Sequence, residues 1–226
     1  MINKKIGFIG CGNMGGAILF GALESGILPK ENAYVYDISP AMMEKAEGWG
    51  VNLCVDDEDV CAKSDIILLA VKPQNAAEAL GMCNKALDGK AMMSIVAGVT
   101  VERLQNMIDG TPRILILLPN TPAMVFEGAF AICSDNDFTE EELEIAKSIY
   151  SSIGIIEMVP EKLIDARPAA SAVAQMKSDR RTVSAVMNSF LFIMIFSFLI
   201  GRVDCPLPKP GRDAVEVGLS AGASTN

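Results

Sequence analysis

Short apolar runs alternate with amphipathic stretches along the chain up to about residue 159. The apolar runs predict strands near 5–9, 33–37, 51–54, 66–71, 91–96, 113–118, 129–133 and 154–158. The stretches between them predict helices near 14–25, 40–48, 57–63, 74–87, 100–108 and 139–152. This alternation indicates an α/β domain in which helices cover both faces of a parallel sheet.

Local signals support several of these boundaries. Ser39 followed by Pro40 is a typical helix start, and Asp88-Gly89 is a typical helix end. Thr139 and Glu142 have the spacing of a capping box, in which the two side chains satisfy the first amides of a helix.

A glycine fingerprint follows the first apolar run, with the residues Gly10, Cys11, Gly12, Asn13, Met14 and Gly15. Between a strand and a helix, the first glycine permits a tight turn, the second lets the backbone approach a pyrophosphate, and the third allows helix and strand to pack closely. The phosphates then bind the N–H groups at the start of the helix. The pattern predicts a Rossmann-type doubly wound parallel sheet that binds a dinucleotide.

The second predicted strand ends on Asp37, about 20 residues beyond the glycines, where an acid can bind the adenosine ribose. The carboxylate favours NAD, because it would repel a 2′-phosphate. NADP remains an alternative, since the acid could turn away and Ser39 could bind the phosphate. The other interpretation of the whole region is a structural turn with Asp37 as a helix cap.

Composition narrows the class of protein. The 226 residues are 50% hydrophobic and carry a formal charge of −9, which disfavours nucleic-acid binding. The chain has no histidine, and its six cysteines form no CxxC pair, so the sequence offers little to a transition-metal site. Reduced thiols and the lack of a signal-peptide pattern at the amino terminus predict a cytoplasmic protein.

The composition of the chain changes in its last 60 or so residues, where basic side chains outnumber acidic ones. We therefore predict a dinucleotide-binding domain over 1–159 and a C-terminal segment over 160–226. An apolar block at 190–200 is shorter than the ~20 residues that span a bilayer. A buried or interface helix, an aggregation-prone segment and a membrane anchor are the three interpretations of this block.

Three further segments resemble the pyrroline-5-carboxylate reductase family. They are Leu69-Ala70-Val71-Lys72-Pro73-Gln74, Ser94-Ile95-Val96-Ala97-Gly98-Val99-Thr100, and Pro119-Asn120-Thr121-Pro122-Ala123 with Glu127-Gly128-Ala129. With the fingerprint and Glu161-Lys162-Leu163-Ile164-Asp165-Ala166, they extend the resemblance over 4–166.

The resemblance implies an oxidoreductase of proline biosynthesis that uses NAD or NADP to reduce the cyclic imine 1-pyrroline-5-carboxylate to L-proline. It implies that Ala70, Val71, Lys72, Pro73, Ala97, Gly98 and Asn120 join the fingerprint and Asp37 in binding the cofactor. It assigns no catalytic residue. Read alone, the segments are also compatible with a surface turn at Lys72, a helix start capped by Thr100 and an ordinary proline turn at Asn120.

The chain departs from the family pattern at two places. The family's Arg-Val-Met-Pro is replaced by Ile116-Leu117-Leu118-Pro119, and Arg113 lies too far back to be assumed a substitute. After Ala166 the family's glycine-rich stretch and its helical dimerisation domain find no match. This departure predicts impaired imine reduction and loss of the family's homo-oligomer. The alternatives are a non-catalytic dinucleotide-binding module and a reductase of the β-hydroxyacid dehydrogenase type.

A shifted reading frame or a truncated gene would explain the departure at Arg167. We expect the coding DNA downstream of the Ala166 codon to encode the missing glycine-rich stretch in another frame. Sequencing that DNA is the test, and the absence of the stretch from the alternative frames would refute the hypothesis.

Overall fold

The computed structural model describes residues 1–160. Eight strands form one sheet in the order β3-β2-β1-β4-β5-β6-β7-β8. The strands are β1 (Ile6–Ile9), β2 (Ala33–Tyr36), β3 (Asn52–Leu53), β4 (Ile66–Leu69), β5 (Ala91–Ser94), β6 (Arg113–Leu118), β7 (Gly128–Cys133) and β8 (Gly154–Val159). The first six are mutually parallel, and the sheet order reverses between β1 and β4, as in a doubly wound Rossmann fold.

Six α-helices connect the strands. They are α1 (Asn13–Glu24), α2 (Pro40–Gly48), α3 (Asp57–Lys63), α4 (Ala76–Cys83), α5 (Val101–Gln105) and α6 (Glu140–Ser151). Short 3-10 turns flank α4 at Pro73–Asn75 and Asn84–Leu87, so the helix predicted over 74–87 has an α-helical middle and tighter ends. The helix predicted over 100–108 is shorter than expected and ends at Gln105.

Two apolar clusters lie on the two faces of the sheet. β1, β4 and β5 are buried along their whole length, which explains their near-continuous apolar sequence. Because side chains alternate between faces, Phe8 and Leu68 join one cluster while Ile9 and Leu69 join the other. Helices on both faces complete the predicted α/β layers.

The sheet is not parallel throughout, which corrects one expectation. β7 runs antiparallel to β6, with Leu117 opposite Ile132. Only residues 119–127 join these strands, and a parallel crossover needs about a dozen residues or more. β8 then returns parallel to β7 through α6.

Apart from its first residue, Pro160, the predicted C-terminal segment lies outside the described residues, as does the apolar block at 190–200. The boundary at residue 159 and the interpretations of that block therefore stay predictions. Within residues 1–160, no helix is both long and apolar enough to cross a membrane.

The predicted capping box at the start of α6 is present and extends into an ion pair. Thr139 Oγ1 accepts the Glu142 amide at 3.3 Å, and Glu142 Oε2 accepts the Thr139 amide at 2.9 Å. The Arg113 guanidinium donates to both Glu142 oxygens, at 2.9 and 2.5 Å. Arg113, with help from Thr139, holds the pKa of the Glu142 carboxyl below its ordinary value.

We expect Glu142→Gln to lower the free energy of unfolding by about 1–2 kcal/mol near neutral pH, since charge-assisted hydrogen bonds are lost. The pKa of Glu142 is depressed in the folded protein, so its contribution is present above about pH 4.5 and is lost as the pH falls further. Urea unfolding of both proteins should therefore show a difference that shrinks as the pH falls below about 4.5.

Glu140→Gln is the matched control, because Glu140 lies in the same helical turn and is exposed. It should change stability by only a few tenths of a kcal/mol. Equal effects of the two substitutions, or a Glu142→Gln effect that is constant with pH, would contradict the assignment.

Candidate cofactor site

The predicted cofactor residues come together at one edge of the sheet. They lie beyond the carboxyl ends of five strands: Gly10, Cys11, Gly12, Asn13, Met14 and Gly15 after β1, Asp37 after β2, Ala70, Val71, Lys72 and Pro73 after β4, Ala97 and Gly98 after β5, and Asn120 after β6. These five strands are parallel, so their carboxyl ends meet at the same edge. Ligands of open α/β sheets bind at this edge, beside the point where the strand order reverses.

Two glycines of the fingerprint are required by the protein itself. Gly10 has a φ of +91°, and a Cβ there would lie 2.8 Å from the carbonyl oxygen of Ala70. A Cβ on Gly15 would lie 2.5 Å from the carbonyl oxygen of Gly10 and 2.9 Å from the Ala70 Cβ. The turn and the close packing of α1 on the sheet therefore both need glycine.

Gly12 differs from its two neighbours. Its φ of −65° is ordinary, and a Cβ placed on it would meet no atom of the described chain within 4 Å. Gly12 is also the N-cap of α1, where no side chain caps the helix and no acid lies in the first turn. The start of α1 thus offers amide groups and partial positive charge to an anion approaching from the open side.

Asp37 closes the fingerprint loop from the side of β2. Its Oδ2 accepts the Cys11 amide at 2.6 Å, and its Oδ1 accepts the Ser39 amide at 2.8 Å. The Gly10 amide donates to the Tyr36 carbonyl oxygen at 2.9 Å, so two successive amides of the loop bind the end of β2. The sequence located Asp37 at the site but did not reveal these bonds.

An acidic rim borders Asp37, formed by Asp56 and Asp57 at the start of α3 and Glu78 on α4. Burial raises the pKa of Asp57 to about 6, and the nearby carboxylates of Asp56, Asp37 and Glu78 add to this shift. The sequence alone did not indicate this rim. The acidic run 56–59 was its visible signal, but that signal had meaning only once β3 was placed beside β2.

The loop after β4 passes directly beside the fingerprint. The Ala70 amide donates to the Ile9 carbonyl oxygen at 2.8 Å, and a Cβ on Gly10 would lie 3.2 Å from a Val71 methyl group. Lys72 and Pro73 are exposed at the start of the 3-10 turn. The loop after β4 therefore borders the candidate site next to the fingerprint, and its Lys72 is exposed to solvent.

The loop after β5 presents exposed backbone. Ala97 and Gly98 are both exposed, and the φ of Gly98 is +69°, a conformation that favours glycine. Thr100 Oγ1 accepts the Arg103 amide and caps α5, so the predicted helix start is confirmed. The loop can approach a flat ring closely because no side chain larger than a methyl group stands at residues 97 and 98.

Asn120 has a structural contact that the sequence did not indicate. Its side chain is buried, and its Oδ1 accepts the Ala129 amide at 2.9 Å, which ties the end of β6 to the start of β7. The carboxamide oxygen is thus engaged in fixing the antiparallel turn. The amide nitrogen makes no hydrogen bond within the described part of the chain, so it is the atom that can face a ligand.

Cys11 supplies packing and not reactivity. The residue is wholly buried, and burial, followed by the nearby Asp37 carboxylate, raises the pKa of its thiol to about 11. The side chain therefore stays a neutral thiol near neutral pH. Across residues 1–160, no group of three or more acidic, cysteine or histidine side chains is placed to hold a metal ion.

Comparison with known proteins finds similar sequences and structures. A family model described as NADP oxidoreductase, coenzyme F420-dependent, matches residues 5–98. The pyrroline-5-carboxylate reductase of Methanosarcina acetivorans is 36% identical over 169 residues, which are 74% of this chain and 62% of that protein. The enzyme of the same name from Arabidopsis thaliana is 29% identical over 98% of this chain and 74% of its own length.

A solved structure agrees with these sequence matches. The structure of Plasmodium falciparum pyrroline carboxylate reductase with NADP bound has a TM-score of 0.64 and 27% identity, and the match covers 91% of this chain and 82% of that one. Over about three quarters of its length, the chain is similar to pyrroline-5-carboxylate reductases. It spans about three fifths of the length of several of the curated relatives that it matches.

One departure from the family pattern now has a structural setting. Ile116, at the position of the arginine in the family's Arg-Val-Met-Pro, is buried in an apolar cluster. Arg113 begins β6 at the opposite end of the strand and binds Glu142. Arg113 therefore does not replace that arginine.

We expect Gly15→Ala to lower the free energy of unfolding by roughly 1–3 kcal/mol, because the added Cβ must displace backbone and not only a flexible side chain. Gly81→Ala on the exposed side of α4 is the control, since a Cβ there meets nothing within 4 Å. The control should be neutral or stabilising by roughly 0.5–1 kcal/mol. Urea unfolding compares the two variants, and equal stability would show that α1 does not pack as described.

Proposed function

We propose that this chain binds a nicotinamide dinucleotide at the edge formed by β1, β2, β4, β5 and β6, and reduces 1-pyrroline-5-carboxylate to L-proline. The reaction consumes the cyclic imine carboxylate, one reduced cofactor and two protons, both of which end on the nitrogen, and it yields L-proline and the oxidised cofactor. The similarity of the chain to pyrroline-5-carboxylate reductases supports the substrate, and the residues at the sheet edge support the cofactor.

Gly12 is the observation that carries the proposal. Gly10 and Gly15 are explained by contacts within the protein, whereas nothing in residues 1–160 explains why position 12 lacks a side chain. A pyrophosphate at the start of α1 explains it, because the oxygens must approach the backbone closely to accept its amide hydrogens. The remaining fingerprint residues, Cys11, Asn13 and Met14, supply the neighbouring amides.

The bound dinucleotide would supply the hydride for the carbon of the imine. The imine nitrogen is readily protonated near neutral pH, so the chain need not supply an acid for it. The chain needs only to hold the substrate, orient it towards the cofactor and exclude water from it. Exposed backbone at Ala97 and Gly98 suits one face of the nicotinamide, and the amide nitrogen of Asn120 suits a carbonyl acceptor. No imidazole is required, which fits a chain without histidine.

The acidic rim favours NADH over NADPH. Asp37 lies where the adenosine ribose would bind, and Asp56, Asp57 and Glu78 add negative charge around it. A 2′-phosphate would meet repulsion from several carboxylates, whereas a ribose hydroxyl would find acceptors. NADPH is the alternative, and Ser39 is the residue that would bind its extra phosphate.

Buried thiols support a reducing compartment. The five cysteines of residues 1–160 are all buried and form no disulfide. This fits the proposed cytoplasmic location, where thiols stay reduced. We do not propose the family's homo-oligomer for this chain, because the sequence after Ala166 does not match the family's helical dimerisation domain.

Gly12→Ala tests the proposed function. We expect NADH binding to weaken about tenfold or more, because the methyl group would occupy the space that the pyrophosphate needs. The variant should fold normally, since alanine adopts this φ and its Cβ meets no protein atom. Fluorescence titration with NADH and NADPH measures binding, and reduction of 1-pyrroline-5-carboxylate at saturating substrate measures activity.

Gly81→Ala again serves as the matched control and should bind cofactor like the wild-type protein. Equal affinity of Gly12→Ala and Gly81→Ala for NADH would show that the cofactor does not need the space beside Gly12, and would contradict the proposal. Binding without turnover in the wild-type protein would favour the non-catalytic dinucleotide-binding module.

A further inference from the structure

Asp37 bridges two loops of the candidate site through its two carboxylate oxygens. Oδ2 binds the Cys11 amide in the fingerprint, and Oδ1 binds the Ser39 amide at the start of α2. The Asp37 amide in turn lies 3.1 Å from the Met43 sulfur on α2. The carboxylate is therefore held in one orientation by groups on two different elements.

We propose that Asp37 is a positioning residue that fixes the fingerprint loop through Cys11, so that its loss weakens every ligand with a pyrophosphate, whatever the ribose carries. The inference rests on the proposed function, because it assigns Asp37 a second role at the same site. It differs from the role predicted from the sequence, in which Asp37 acts by binding the ribose hydroxyls and repelling a 2′-phosphate.

Asp37 fixes the fingerprint loop through its hydrogen bond to the Cys11 amide. Cys11 lies between Gly10, which has a left-handed backbone, and Gly12, which caps α1. Asp37 is only half-buried, but Cys11 is wholly buried with the carboxylate in place, and an unpaired buried amide is unfavourable. Without Asp37 Oδ2 the loop must shift to expose this N–H, and the shift would move Gly12 and the first amides of α1.

The two roles predict different outcomes when the charge of Asp37 is removed. If Asp37 mainly repels a 2′-phosphate, Asp37→Asn should bind NADPH more tightly, because the rim loses one carboxylate. If Asp37 mainly fixes the loop, NADPH and NADH should both bind more weakly. Asparagine keeps the shape of the side chain but offers only one carbonyl oxygen for two amide donors.

Affinities of four ligands separate these roles. We expect Asp37→Asn to weaken the binding of NADH, NADPH, ADP and 2′,3′-dideoxy-ADP. The loss should be about tenfold for 2′,3′-dideoxy-ADP, which has no ribose hydroxyls for Asp37 to bind. Calorimetry gives the affinities of the two ADP ligands, and cofactor fluorescence gives those of NADH and NADPH. Asp57→Asn is the matched control for ADP and 2′,3′-dideoxy-ADP, because it removes a neighbouring carboxylate that makes no bond to the loop and should leave these two affinities unchanged.

Two results would overturn the proposal. Tighter NADPH binding by Asp37→Asn would show a charge-based selectivity role. A loss for ADP that disappears with 2′,3′-dideoxy-ADP would show that Asp37 acts through the ribose hydroxyls.

Amide hydrogen exchange tests the same contact without any ligand. The Cys11 amide should be protected in the wild-type protein and should exchange at least tenfold faster in Asp37→Asn, while amides of β4 keep their protection. A general loss of structure would instead affect β4 as well. An unprotected Cys11 amide in the wild-type protein would refute the bridge even if Asp37→Asn does not fold.

This readout also separates the two proposals. If the wild-type protein binds none of the four ligands, the proposed function fails. The protection of Cys11 then still decides whether Asp37 fixes the loop.

Discussion

The close contact between α1 and the sheet at Gly15 positions the rest of the site. Only a residue without a side chain lets α1 come this near to the Gly10 carbonyl and to Ala70. That approach brings the start of α1 over the point where the strand order reverses between β1 and β4. The left-handed turn at Gly10 then turns the chain from β1 towards α1 and leaves Gly12 facing open space.

A region of partial positive charge and a group of carboxylates lie close to this contact. The uncapped start of α1 is electropositive, whereas Asp37 and the acidic rim at Asp56, Asp57 and Glu78 carry negative charge. A dinucleotide has a matching division, with anionic phosphates in its middle and hydroxyl donors on its ribose. The order of the strands produces this arrangement, because it places β2 and β3 on one side of β1 and the loops after β4, β5 and β6 on the other.

Local patterns predicted most of the fold. Buried strands are apolar throughout, and the starts of α2, α5 and α6 agree with signals at Pro40, Thr100 and Thr139, so sequence neighbours alone determine these features. The direction of β7 depends on the short connection after Leu118 and on pairing across the sheet. The contacts of Asn120 with Ala129 and of Arg113 with Glu142 depend on residues that only the fold brings together, which the sequence pattern does not encode.

Backbone amide chemical shifts during a titration of the wild-type protein with NADH would test most directly whether the start of α1 binds the cofactor. We expect saturable changes that are largest at Gly12, Asn13 and Met14, with further changes at Gly98 and in the loop after β4. The absence of any change, or saturable changes confined to residues away from the carboxyl ends of the parallel strands, would contradict this expectation.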